Sequence, residues 1–331
     1  MGSKKKYGSV YATSYKEVKV KQQLYILQPN KSHNPISITV SQLIDEWLSS
    51  IKNRVKPCTY QKYESVCRNH IICELGLTPV RFISHFTIMN FAEKLSSKSI
   101  SSKTVNAILI VLGLAFKYCE ITYNITSPKI NYIKVERKEM RVFSVQEQQI
   151  LTNYLLHDID IHKFGILLAL FTGMRVGELC ALKWEDITER QIIVNKTMMR
   201  IKNDNGKTEV KIGPPKSECS NRIIPTPKCL FPLINRFRNT GYVLSNNKLL
   251  FTEPRLMQLK FDKMITECNL EKANFHTLRH TFATRCVEAE VDIKTLSELL
   301  GHADVKMTQV YAKIINQKKD DAVNLVNGLF D

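Results

Sequence analysis

Three short segments carry residue types from which a phosphate-handling site can be built. In Thr172-Gly173-Met174-Arg175-Val176-Gly177-Glu178-Leu179 a glycine stands just before an arginine at the mouth of an amphipathic helix. That order places a guanidinium beside outward-pointing backbone N–H groups, a cradle for a phosphate oxygen. Alone the segment is weak, because Arg175 serves equally well as a surface helix residue. In His276-Thr277-Leu278-Arg279-His280, residues three apart share a helix face, so His276 and Arg279 can address one anion while Leu278 packs inward. His276 and His280 have the i, i+4 spacing of zinc ligands, but no glutamate fills the H-E-x-x-H pattern and no third ligand cluster lies nearby. No metal is expected, and His280 reads as a packed, hydrogen-bonded core histidine. Leu299-Leu300-Gly301-His302-Ala303-Asp304 supplies a further histidine, with Tyr311 nine residues after it. A tyrosine on an amphipathic helix is ordinarily core, and the chain has 12. The combination with two arginines, two histidines and a lysine-bearing hairpin singles Tyr311 out.

These segments must be positioned by a chain of 331 residues, which at about 150 residues per domain means two globular domains and an appendage. Hydrophobic residues make up 44% and charged residues 24%, enough apolar content for an ordinary core and too much for a disordered chain. Lys and Arg number 48 against 31 Asp and Glu, a net charge of +17 that implies a polyanionic partner, nucleic acid ahead of a membrane surface or an acidic protein. The nine cysteines are odd in number, scattered and without a C-x-x-C pair. They argue for a reducing cytosol and against a disulfide framework or a zinc ribbon. No apolar stretch follows the lysine-rich start, and the longest one, Ala107 to Phe116, is interrupted by Gly113 and too short to span a bilayer. A soluble cytoplasmic protein with no membrane partner is expected.

Residues 1–36 read as a basic N-terminal arm, with Lys4, Lys5 and Lys6 as candidate DNA contacts. Residues 37–127 read as a small helical bundle. Ser41 caps a run with Leu43, Ile44, Trp47, Leu48 and Ile51; Pro57 and Thr59 open a second run that continues through His70. A shorter helix covers Thr87 to Leu95, and Ser101 opens a fourth that carries Val105, Ile108, Leu109, Leu112 and Phe116. Residues 128–142 show alternating charge and no apolar stripe, as a linker would. Ser144 and Glu147 then have capping-box spacing, and residues 143–331 mix helices at Val145–Leu156, Ile161–Phe171 and Val176–Leu182 with strands at Gln191–Met199, Thr208–Gly213 and Asn221–Pro225. The expected fold is multidomain and mainly α: an N-terminal helical core-binding bundle plus a mixed α+β domain with a small antiparallel sheet.

Taken in order, T-G-M-R-V-G-E-L, P-K-S-E-C-S-N-R-I-I-P, H-T-L-R-H and L-L-G-H followed by Tyr311 resemble the tyrosine recombinase (phage-integrase) family. The likeness covers Phe143 to Tyr311 and, more loosely, the helical block, where K-P-C-T-Y-Q-K-Y-E resembles the family's core-binding domain. The resemblance implies catalytic roles for Arg175 and Arg279 as an arginine clamp, Lys216 as the hairpin lysine, His276 and His302 as the two histidines and Tyr311 as nucleophile. Lys207 and Lys211 lie close to Lys216, but K-S-x-x-S-x-R-x-I-P fits the family's hairpin best. Glu178 is either a residue that orients the site or a helix-surface acid. Lys56 and Thr59 are implied DNA contacts. Of the three-stranded arm-binding domain found in many mobile-element members, only the basic end in K-Y-G-S-V-Y-A-T-S-Y-K-E is recognisable.

The implied function is that of a site-specific recombinase of a mobile element, with integrase or excision activity. It works through a 3′-phosphotyrosyl intermediate and a Holliday junction, and needs neither metal, ATP nor another cofactor. The implied partners are double-stranded recombination sites, a homo-tetramer held by the C-terminal tail, and accessory DNA-bending or excision factors, in the nucleoid of a prokaryotic cell. A type IB topoisomerase-like enzyme and a non-catalytic DNA-binding regulator are the alternatives.

Overall fold

The computed structural model describes residues 38–136, 139–202, 208–215, 218–245 and 250–312. Lys4, Lys5, Lys6, Lys207, Lys216 and the tail from residue 313 lie outside the described residues. The chain divides into two units, Met1–Arg137 and Lys138–Asp331.

The first unit is all-helical. Its first helix, α1 (Val40–Ile51), is capped by Thr39, not Ser41: Thr39 is extended and exchanges hydrogen bonds with Gln42 three residues on, a complete capping box. The second run, α2 (Pro57–Val66), has Pro57 in its first turn, passes through a π turn at Cys67–Ile71 and ends as α3 (Ile72–Leu75). Ser84 caps α4 (His85–Ser97), which is longer at both ends than its apolar stripe suggests.

The central strut is α5 (Ser102–Tyr123), capped by Ser101 and ended by Asn124 in the left-handed conformation. Its 22 residues are long and apolar enough to cross a membrane by length and composition alone, well beyond the Ala107–Phe116 stretch. Yet Val105, Ile108, Leu109, Leu112, Ala115, Phe116 and Cys119 are buried at helical spacing in this unit's own core. Gly113 does not interrupt it. A Cβ there would lie 3.2 Å from Ile130 Cδ1, so the missing side chain admits the segment that follows the helix. Read as a linker from residue 128, that segment is in fact held to this unit as far as Ile133. Ile130 and Ile133 pack on the core, and the Asn106 amide brackets Ile133, donating to its carbonyl at 2.8 Å and accepting from its N–H at 2.9 Å.

In the second unit the Ser144–Glu147 capping box opens α6 (Val145–Leu156). Asp160 caps α7 (Ile161–Thr172), which is buried along most of its length and forms the spine of the core with Phe164, Leu167 and Leu168. After α8 (Val176–Ala181) come β1 (Gln191–Val194), β2 (Thr197–Lys202), β3 (Thr208–Gly213) and β4 (Arg222–Pro225). They form two antiparallel pairs, β1 with β4 (Ile192 opposite Ile224) and β2 with β3 (Met199 opposite Lys211). The expected Gln191–Met199 strand is therefore two strands with different partners, divided where Lys196 turns to the Asp186 carboxylate at 3.2 Å. Four helices follow: α9 (Phe231–Phe237), α10 (Pro254–Glu267), α11 (His276–Glu288) and α12 (Ile293–Leu300). Residues 306–312 are helical. All nine cysteines are free thiols.

Candidate active site

The site is assembled in the second unit from the C-terminal ends of α7 and α12 and the N-terminal turns of α8 and α11. α7 ends at Gly173, whose φ of +65° suits glycine, and whose missing Cβ would stand 2.6 Å from Phe282 and 3.0 Å from Leu300. The chain then turns so that Arg175 is the N-cap of α8. The Arg175 guanidinium reaches forward to Glu178 at 2.8 Å, and the Glu178 carboxylate accepts from the Arg175 N–H at 3.0 Å. Glu178 is 3% exposed, which rules out a helix-surface acid.

Arg279 enters from α11 and is 1% exposed. Its guanidinium donates to the carbonyls of Gly173 at 2.9 Å and Leu300 at 2.5 Å, while Nε is buried with no partner among the described residues. It thus ties the end of α7 to the end of α12. Burial first, then the charges of Arg175 and Arg222, push Arg279 down to about 9, so it is still a cation at neutral pH.

A third guanidinium, Arg222 of β4, completes the arrangement. It donates to Glu178 at 2.8 Å, to the Leu299 carbonyl at 2.7 Å and to the Ser220 carbonyl at 3.2 Å, with its side chain 4% exposed. Glu178 is therefore shared by two arginines. Burial raises its carboxyl, but the hydrogen bond and charge of Arg222 and the charge of Arg175 outweigh burial and hold it below the ordinary carboxylate range. Among the described residues, three guanidiniums against one carboxylate leave two uncompensated cations. Unpaired buried charge is costly, so an anion is the natural complement of this cluster.

His276 and Arg279 share a face of α11 as their spacing implies, and Leu278 is buried beneath them. At the start of α11 the His276 ring packs edge-on against His280; burial of the ring, then the charges of Arg279 and Arg175, bring it down to about 4. Gly301, in the left-handed conformation, ends α12 and presents His302, whose Nδ1 lies 2.8 Å from the buried Thr308 hydroxyl. Burial and the same arginines take His302 to about 4 as well. Both rings are neutral at pH 7, each with one N–H to donate. Thr308 is three residues before Tyr311, so the His302 contact also steadies the helical turn that carries the phenol.

Tyr311 is 2% exposed and packs with Ala283, Leu296 and Leu300. Burial raises its pKa, and Arg279 and Arg175 pull the other way. These charges reach Tyr311, His276 and His302 alike, so the five residues Arg175, His276, Arg279, His302 and Tyr311 share one electrostatic environment. His280 is half-buried and hydrogen-bonded, but its partner is unexpected: Nδ1 lies 2.9 Å from the Tyr311 hydroxyl.

Arg222 is the residue that sequence reasoning passed over. The signal lay in strand alternation, since Arg222 and Ile224 are the inward positions of β4, and an inward arginine demands an acid. Lys211 lies on β3, whereas Lys216 and Lys207 are outside the described residues. In the first unit, Lys56 is exposed at the N-cap of α2 with Thr59 in its first turn. Among the described residues no three His, Cys, Asp or Glu side chains gather into a metal-binding group.

Comparison with known proteins adds a separate line of observation. The sequence model of the phage integrase family matches residues 141–318, and that of the phage integrase N-terminal SAM-like domain matches residues 39–96. A tyrosine recombinase XerC-like protein of Caldanaerobacter subterraneus is 28% identical across 97% of this chain and 91% of its own length. The ICEBs1 integrase of Bacillus subtilis is 24% identical across 91% of this chain and 86% of its own. Among solved structures, the Tn1549 transposon integrase in complex with a circular intermediate DNA superposes with a TM-score of 0.74 at 23% identity, covering 83% of this chain and 95% of that one. A lambda integrase tetramer bound to a Holliday junction gives 0.63 at 18% identity, covering 89% of each chain.

Proposed function

The chain belongs to the phage integrase family, whose sequence model spans residues 141–318, and from that premise we propose how its residues divide the work of DNA strand exchange. It is a tyrosine recombinase, an enzyme that cuts and transfers DNA strands at specific sites. The likeness to the ICEBs1 integrase and to the Tn1549 transposon integrase supports the role of a mobile-element integrase.

A phosphodiester resists attack because its negative charge repels nucleophiles and grows on the non-bridging oxygens at the transition state. The two uncompensated cations of the Arg175, Arg222, Arg279 and Glu178 cluster match that charge, and this is the observation that carries the reading. Arg175 and Arg279 address the non-bridging oxygens, with His276 and His302 as neutral N–H donors. Glu178 and Arg222 hold Arg175 in place. Tyr311 attacks phosphorus to form a 3′-phosphotyrosyl enzyme, which conserves the bond so that rejoining needs no ATP. Lys216 protonates the leaving 5′-oxygen. The 5′-hydroxyl of a partner strand then attacks the phosphotyrosine, and a Holliday junction follows.

Residues 37–127 grip DNA as the core-binding domain, with Lys56 and Thr59 on phosphates at the start of α2, and residues 143–331 perform the chemistry. The basic arm with Lys4, Lys5 and Lys6 adds sequence-independent affinity. Four protomers act together on two duplexes, joined by the tail after Tyr311 and assisted by DNA-bending or excision factors, in the cytoplasm of a prokaryotic cell. The test is incubation with DNA bearing two copies of the site selected from sequences flanking the chain's own gene. Holliday junctions and exchanged products are expected, whereas relaxation of supercoils without exchange would mean a topoisomerase, and binding without cleavage a regulator.

A further inference from the structure

His280 is the element of the site that the division of labour above leaves unused. It follows Arg279 on α11 and lies one helical turn after His276, against whose ring it stands edge-on, with centroids 4.5 Å apart and planes at 88°. A histidine that merely filled the core would satisfy its nitrogens locally. Instead Nδ1 meets the hydroxyl of a residue 31 positions away, at 2.9 Å, with the two rings 5.8 Å apart. The other histidine near the end of the site, His302, directs its Nδ1 to the Thr308 hydroxyl at 2.8 Å.

Both groups of this hydrogen bond are neutral at pH 7. Burial, then His276 and Arg279, depress His280 to about 4, so the ring is neutral at pH 7. Burial raises Tyr311 above its ordinary value, so the phenol keeps its proton. Two neutral groups can share this bond in either direction; proton transfer out of the phenol requires the one in which the Tyr311 O–H donates and Nδ1 accepts, with the ring proton on Nε2. A protonated phenol is a poor nucleophile, and the group that receives its proton must be within hydrogen-bond reach of the oxygen.

Resting on the reading of Tyr311 as nucleophile, we propose that His280 is a catalytic residue that takes the Tyr311 proton as the phosphotyrosyl bond forms and returns it on rejoining. In cleavage the Tyr311 O–H bond breaks, its proton passes to His280 Nδ1 and the oxygen bonds to phosphorus. The bond from phosphorus to the 5′-oxygen breaks, its electron pair leaves with that oxygen, and Lys216 supplies the proton. In rejoining, the incoming 5′-hydroxyl gives its proton to Lys216 and attacks phosphorus, and the departing Tyr311 oxygen recovers its proton from His280. A scissile phosphate held by Arg175 and Arg279 offsets the arginine charge that makes the imidazolium unfavourable, so the base strengthens when substrate is bound.

The test compares wild type, His280→Asn and Tyr311→Phe on a nicked duplex carrying the mapped cleavage position, in single-turnover experiments with protein in excess. Asparagine places an acceptor oxygen near the position of Nδ1 but cannot take a proton. His280→Asn is expected to bind DNA like wild type and to form the covalent adduct about 10²–10⁴-fold more slowly, with a rate that climbs with pH as Tyr311 ionises unaided. An adduct rate within about threefold of wild type, with an unchanged pH profile, overturns the proposal. If wild type itself forms no adduct at Tyr311, the family reading of the nucleophile fails instead. A second measurement needs neither DNA nor a variant that folds: ¹⁵N-histidine NMR of the wild-type protein should show His280 as the Nε2–H tautomer. An Nδ1–H tautomer overturns the proposal as well.

Discussion

Replacing Arg222 by methionine removes a charge while keeping comparable bulk, and the structure sets the expected size of the effect. Three acceptors lose a donor at once: the Glu178 carboxylate, the Leu299 carbonyl and the Ser220 carbonyl. Glu178 keeps Arg175, whose N–H and guanidinium still bond to it at 3.0 and 2.8 Å, but Arg175 is one-third exposed, so the carboxylate is left without its fully buried cation. Breaking one side of a buried ion pair costs about 3–5 kcal/mol. For a unit of this size that corresponds to a melting temperature lower by roughly 6–20 °C. Arg222→Lys keeps the charge but reaches fewer acceptors, and should fall between the two. The double variant Arg222→Met with Glu178→Gln removes the stranded charge and should lose less than the sum of the single losses, a positive coupling of ~1–3 kcal/mol. Calorimetry following the transition of the second unit would measure wild type, the two Arg222 variants, Glu178→Gln and the double variant. A loss below about 1 kcal/mol for Arg222→Met, or strict additivity, would refute the claim that Glu178 and Arg222 form a coupled buried pair.

Gly173→Ala forces a side chain onto a φ of +65° and into Phe282 and Leu300; together strain and overpacking should cost ~2–5 kcal/mol in thermal unfolding, and displace the carbonyl that anchors Arg279. His276, His280 and His302 are each held near 4, below their ordinary 6.5, so between those values the unfolded chain binds more protons than the folded one. Stability of the second unit should therefore be intact above pH 6.5 and fall as pH drops from there toward 4, as denaturant titration across that range would show. Lys216→Ala should lose cleavage of ordinary DNA and recover it on DNA with a 5′-bridging sulfur, whose departure needs no acid. Failure to recover would remove Lys216 from that role.

The sequence was most informative where chemistry and local conformation coincide. Ser144 and Glu147 mark the start of α6 because both halves of the capping box are local, and Gly301 marks the end of α12 because few other residues adopt its φ of +64°. It was least informative where partners are distant. The split between β1 and β2 depends on β4 and β3, which pair with them from up to 34 positions away. The hold of Asn106 on Ile133 leaves no apolar periodicity to read. In the site, Arg175, His276, Arg279 and His302 could be picked out by type and spacing. Arg222 could not, because a lone arginine in a short strand looks exposed until Glu178 is found buried beside it. His280 was correctly read as hydrogen-bonded, but its partner Tyr311 is brought in by the turn after His302.

The central claim is that Tyr311, held beside the arginine cluster, becomes covalently joined to DNA. Trapping the protein on a nicked suicide substrate, digesting the adduct and sequencing the nucleotide-bearing peptide by mass spectrometry tests it directly. The expected result is a 3′-phosphotyrosyl bond on Tyr311, absent in Tyr311→Phe although that variant still binds the DNA. An adduct on another residue, or one that persists in Tyr311→Phe, would contradict the account.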